Sequence, residues 1–119
     1  MYRLIQPQHI EYIMNNGIYF LIFESQNKDF GTGLLILNDP VVYGGDSFYS
    51  YQGVIESNRI IINLFKHTST AHSFFGDHDK VKLNLISHSA SGGYLLTGNV
   101  ENLQTVPLVV KAKFIGQIP

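Results

Sequence analysis

Residues 17–53 read GIYFLIFESQNKDFGTGLLILNDPVVYGGDSFYSYQG, and this stretch decides the fold. Apolar runs rich in β-branched and aromatic side chains alternate with turn chemistry, the signature of short strands. Residues 18–24 form a first strand, closed by the polar turn at 25–29. Residues 30–37 form a second, ended by Asn38-Asp39-Pro40, a strong turn signal. A short third strand, 41–43, precedes Gly44-Gly45-Asp46, and residues 48–55 make a fourth. Gly31 and Gly33 lie two apart, hence on one face, where a missing side chain permits sharp bending or close packing. Gly53 and Gly98 are further bend points.

The same grammar continues outward. A turn at Glu56-Ser57-Asn58 leads into a fifth strand, 59–67, and then into the longest connection, 68–79. That connection carries Phe74 and Phe75, expected to plug one end of the domain. A sixth strand at 80–88, the turn Ser91-Gly92-Gly93, a seventh strand at 94–100 and an eighth at 106–115 complete the chain. Eight short strands on short connections predict an all-β fold, an antiparallel meander closed into a barrel. Closure removes the edge strands without requiring many charges to guard them. Val81, Leu83 and Leu85 share one face of the sixth strand, opposite Lys80, Lys82 and Asn84. In the eighth, Leu108, Val110, Ala112 and Phe114 oppose Val109, Lys111, Lys113 and Ile115. Such alternation gives one buried face and one wet face. Residues 18–23 and 60–65 are apolar on nearly both faces, so their outer sides must meet an N-terminal arm or a second subunit.

The chain has 119 residues, enough for one domain and one core. Residues 1–15, with Pro7 and no sustained period, read apart as an N-terminal extension, and 16–119 as a single barrel domain. The first segment is either an extension before an alternative start at Met14, or an ordered arm or short helix covering one end of the barrel. Charged residues make up only 14%, against roughly 25% in ordinary domains. With 45% hydrophobic and 13% aromatic residues, the chain has apolar surface to spare for a cavity lining or an oligomer interface. A net charge of −1 does not imply a surface for nucleic acid. The absence of cysteine excludes disulfide and thiol chemistry and leans cytosolic. Without a signal segment or a run of roughly 20 apolar residues, the expectation is a cytoplasmic protein with no membrane contact.

Chemistry-bearing patterns are weak. His67, His72 and His78, with Asp77 and Asp79 nearby, fall at uneven intervals in a loop and lack the pair spacing of a zinc site. Asp77-His78-Asp79 also lacks the remaining positions of a calcium loop. No G-x-S-x-G elbow occurs, and Ser87-His88-Ser89 are sequence neighbours with opposite facings. Gly31-Thr32-Gly33 lacks the lysine and the strand–turn–helix context of a phosphate loop. The carboxylates Glu24, Asp29, Asp46, Glu56 and Glu101 fall mostly at turns. The expectation is therefore a non-enzyme without catalytic residues, metal or cofactor. Lys80, Lys82, Lys111 and Lys113 read as solvating residues on outer faces, since no stacking aromatics interleave with them. Tyr43, Phe48, Tyr49 and Tyr51 read as core and interface packing. The sharper alternative is a barrel holding one small apolar ligand. Tyr49, Tyr51, Leu83, Leu85, Val110 and Phe114 would then line its cavity.

The landmarks Gly17-Ile18-Tyr19, Gly31 and Gly33, Gly44-Gly45-Asp46, Tyr49, Tyr51 and Gly53 form an ordered set. Phe75-Gly76 with Asp79, Leu83-Asn84-Leu85, Gly98 and Pro107 extend it more thinly. In order and spacing this set resembles the GrlR family, small cytoplasmic proteins that negatively regulate bacterial type III secretion genes. The resemblance covers about 16–114 and starts close to Met14, where the family's common region begins. It implies a lipocalin-like barrel that homodimerises through apolar surface around a largely hydrophobic cavity. It also implies an anti-activator that binds a partner transcriptional activator and keeps it from DNA, with no chemical step. In the best-known members an acidic Glu-Asp-Glu-Asp loop contributes to activator recognition. The corresponding turn here is Glu56-Ser57-Asn58-Arg59, shorter and nearly neutral, so the handle for a basic activator is missing at the expected partner-binding loop. The runner-up expectation is a cytoplasmic barrel binding a small apolar ligand or lipid.

Overall fold

The computed structural model describes residues 14–26, 28–68, 78–101 and 103–119. Eight strands follow in order: β1 (Gly17–Ser25), β2 (Lys28–Asn38), β3 (Val41–Gly45), β4 (Tyr49–Glu56), β5 (Arg59–Lys66), β6 (Lys80–Ala90), β7 (Gly93–Val100) and β8 (Leu103–Gly116). Each pairs antiparallel with the next, and β8 returns to β1 to close the barrel. The described residues contain no helix. The fold is thus the all-β, eight-stranded closed meander that the turn chemistry predicts. The arm before Met14, Phe74 and Phe75, and His72 and Asp77 lie outside the described residues.

Most strands run slightly beyond their sequence-based limits, although β4 starts one residue later, at Tyr49, and β5 ends one residue earlier, at Lys66; one difference has a local cause. Gly44 and Gly45 belong to β3 and pair with β2 and β4; the turn begins only at Asp46. Its carboxylate Oδ1 accepts the backbone N–H groups of Phe48 and Tyr49 at 2.7 and 2.8 Å, an Asx-type turn that reverses the chain. At the opposite end, β4 and β5 are joined by the two residues Ser57 and Asn58, with Glu56 directly opposite Arg59.

Alternation along the strands sorts the described side chains into an interior and an outer face. Tyr19, Leu21 and Phe23 of β1, Leu35 and Leu37 of β2, Tyr49 and Tyr51 of β4, and Leu83 and Leu85 of β6 are each no more than 3% exposed. Each such burial contributes about 1.5–3 kcal/mol for an aliphatic or aromatic side chain. Met14, just before β1, joins this core. Gly53 opposes Ile62 where β4 and β5 come so close that a Cβ would overlap the Ile61 carbonyl. The same crowding occurs at Gly98 against the Asn84 carbonyl, so at both glycines the neighbouring backbone leaves no room for a side chain.

Candidate functional site

The meander places alternate connections at opposite ends. The β3–β4 turn and the β5–β6 connection meet at one end, which we term the upper. The β2–β3, β4–β5 and β6–β7 hairpins, the start of β1 and the end of β8 meet at the lower.

At the upper end Asp46 is the organising group. Besides its two backbone donors, its Oδ2 accepts the Tyr51 hydroxyl. Burial first, then this hydrogen bond and the carboxylate charge, push the Tyr51 phenol far above the usual tyrosine range. The Tyr51 hydroxyl lies where a Cβ of Gly33 would stand, whereas Gly31 has no atom within 4 Å of that position. Only one of the two glycines is therefore required by packing. Nε2 of His67 lies 2.9 Å from the Asp46 carbonyl, and Tyr49 donates to the His78 carbonyl at 3.0 Å. These contacts tie the ends of the β5–β6 connection to the β3–β4 turn and the start of β4. Among the described residues no group of three or more His, Cys, Asp or Glu could hold a metal ion.

The lower end carries the expected partner-binding loop. Glu56, Ser57 and Arg59 are exposed, while Asn58 is half-buried and its carbonyl accepts the Ser87 N–H at 2.7 Å. Ser57 sits at φ 56°, in the left-handed region that non-glycine residues enter at a cost. No ion pair joins Glu56 to Arg59 among the described residues, so both charges project freely. The loop is a knob of mixed charge with no net electrostatic preference.

At the same end is a cleft of about 310 Å³, lined by Asn15, Tyr19, Ser89, Ala90, Gly93, Tyr94 and Phe114. Tyr19 donates to the Asn15 carbonyl at 2.6 Å, and the Asn15 N–H donates to the Tyr94 hydroxyl oxygen at 3.1 Å. The rings of Tyr94 and Phe114 stand edge-on to Tyr19, with centroids 5.9 and 5.6 Å away. Burial, and then the neighbouring Tyr94 phenol, push the Tyr19 phenol well above its ordinary range. No motif announces this cleft, because Asn15 and Tyr94 are 79 residues apart in sequence.

The six expected cavity residues separate. Tyr49, Tyr51, Leu83, Leu85 and Val110 lie inside the barrel with at most 1% of their surface uncovered, so in this conformation they face other side chains. Phe114 continues the inward row of β8 but stands at the lower rim, 40% exposed. The aromatic cluster around Gly44-Gly45 also divides: Tyr49 and Tyr51 point in, and Tyr43 points out, 40% exposed.

The outer face is apolar over a continuous area. Cross-strand register lines up Ile18 with Ile36 and Ile36 with Tyr43, and beside them Phe20 with Leu34 and Val41 with Val54. Leu34, Val41 and Val54 are nearly half exposed. The lysines border other strands. Lys111 pairs with Glu24 at 2.8 Å, Lys82 with Glu101 at 3.8 Å, and Lys80 lies 5.7 Å from the Phe65 ring centroid. Hydrogen bonding to Lys111, then to Asp29, holds the Glu24 carboxyl below its usual range; Lys111 is raised in return. No family model matches the chain, and no curated protein matches its sequence.

Proposed function

We propose that this chain is a non-enzymatic, GrlR-like regulatory protein. It acts as a homodimer in the cytoplasm and binds a partner transcriptional regulator in the manner of an anti-activator. The observation that carries this reading is the continuous apolar patch on the outside of a barrel whose described inward side chains are already buried. Phe20, Leu34, Tyr43, Val41 and Val54 have no role in the core, and surface of this kind is characteristic of protein–protein contacts. An inward face of Leu, Ile, Val and Tyr is the reverse of the polar lumen of an outer-membrane barrel, which favours a water-soluble protein. No helix among the described residues is long and apolar enough to cross a membrane.

The apolar-ligand carrier receives less support, because five of its six lining residues are packed against neighbours. The partner-binding surface includes the knob at Glu56, Ser57, Asn58 and Arg59, which reads a partner by shape more than by charge.

Two measurements test the proposal together. Sedimentation velocity at micromolar concentration should give a dimer that Val54→Glu converts to a folded monomer. A DNA-binding regulator captured stoichiometrically from the host lysate should leave its DNA, in a mobility-shift assay, when the purified protein is added. A monomeric wild type removes the dimer, and a regulator that stays on its DNA removes the anti-activator mechanism.

A further inference from the structure

The lower cleft is an open groove with room for a small molecule. Its volume of about 310 Å³ is at the lower end of the range for ligand pockets, ~300–1,000 Å³. It is built from separate parts of the chain: Asn15 ahead of β1, Tyr19 in β1, the β6–β7 hairpin and the end of β8. None of its lining residues is charged, so an anion finds no counter-charge and a cation no carboxylate.

Its walls are aromatic and held in place. Tyr94 and Phe114 each lean edge-on against Tyr19, which is itself fully covered. Phe114 leaves 40% of its surface uncovered at this concave spot. Beneath the floor Leu21, Leu35 and Ala112 are at most 2% exposed, which closes the route inward to a long acyl chain. The polar group is equally fixed. The Asn15 backbone bridges the two phenols, its carbonyl accepting from Tyr19 and its N–H donating to Tyr94. Having accepted that bond, the Tyr94 hydroxyl retains its own proton, for which no acceptor stands among the described residues.

From these features we infer that the cleft is a binding site for a small, uncharged, planar aromatic molecule bearing one hydrogen-bond acceptor. The flat ring packs against Phe114 and Tyr94, and the acceptor takes the Tyr94 hydroxyl proton. This inference stands apart from the regulatory reading, since it uses neither the outer face nor the hairpin knob.

Benzamide supplies the proposed chemistry, and cyclohexanecarboxamide has the same acceptor on a ring that is not flat. Each is titrated into the full chain and followed through backbone amide resonances. Benzamide should give saturable shifts centred on Asn15, Gly93 and Phe114, and cyclohexanecarboxamide should bind several-fold more weakly. Tyr94→Phe keeps the ring and loses the donor, and should weaken benzamide by about three- to tenfold. Phe114→Ala should abolish saturation. Because Phe114 is a rim residue, the spectrum of that variant should keep its dispersion, which separates loss of the site from loss of the fold. Absence of saturation in the wild type, equal binding of the two amides, or shifts centred on the interior residues Leu83 and Leu85 would each overturn the inference.

Discussion

Alkaline pH probes the interior through two phenols. Tyr19 and Tyr51 are 0% and 1% exposed, and each is pushed far above the ordinary value of 10.0. In the unfolded chain both ionise near that value, while in the folded chain both keep their protons. The unfolded state then binds two fewer protons than the folded one, so stability falls as pH rises. The contribution is whole below pH 10.0 and is lost progressively toward the higher folded values. Each phenol lowers stability by about 1.4 kcal/mol per pH unit, and the pair by about 2.7 kcal/mol. Two pH units would therefore remove about 5 kcal/mol, comparable with the whole stability of a modest domain. Guanidinium unfolding followed by far-UV circular dichroism, from about pH 9 to about pH 12, measures this slope. Lysines titrate over the same range, so the decisive quantity is the difference between proteins. Tyr19→Phe and Tyr51→Phe should each make the slope shallower by about 1.4 kcal/mol per pH unit. A slope unchanged in both variants would refute the reasoning, because it would mean that the buried phenols ionise as freely in the folded barrel as in the unfolded chain.

Two further predictions concern single positions. Gly31→Ala should leave stability unchanged or raise it by about 0.4–1 kcal/mol, since open space surrounds that Cβ position. Gly33→Ala should destabilise by about 1–3 kcal/mol by driving the Tyr51 hydroxyl off Asp46; equal melting temperatures for the two variants would refute the packing argument. Glu24 is held below its usual range, so its contribution is present above the unfolded carboxylate pKa and fades as pH falls through the folded value. Lys111→Ala should move the Glu24 titration upward, read by carboxyl carbon NMR, and an unmoved titration would show that Lys111 is not the cause.

Elements were legible in the sequence, and encounters between distant elements were not. Asn38-Asp39-Pro40 and Ser91-Gly92-Gly93 carry their turn chemistry locally, and Val81, Leu83 and Leu85 carry their facing locally. The eight strands and the inward rows follow from such residues. Gly31 and Gly33 look alike in sequence because what separates them is Tyr51, brought over Gly33 by the β3–β4 turn. Asp46 is legible as a turn residue, but its bond to the Tyr51 hydroxyl depends on the phenol being buried. The cleft is not legible for the same reason, since Asn15, Tyr94 and Phe114 become neighbours only after β8 closes on β1. Phe114 has the right phase for the interior, yet phase does not say where along the barrel axis an inward residue falls.

Closure of β8 on β1 also makes the order of the strands a matter of convention. Ile18 and Gly116 are cross-strand partners, so the first and last strands enter and leave side by side at one end of the cylinder. A chain opened instead between Ser57 and Asn58, and sealed by a short linker from Gly116 to Gly17, would retain every one of the eight ladders in the same cyclic sequence. Architecturally the molecule is a ring of hairpins without a privileged beginning.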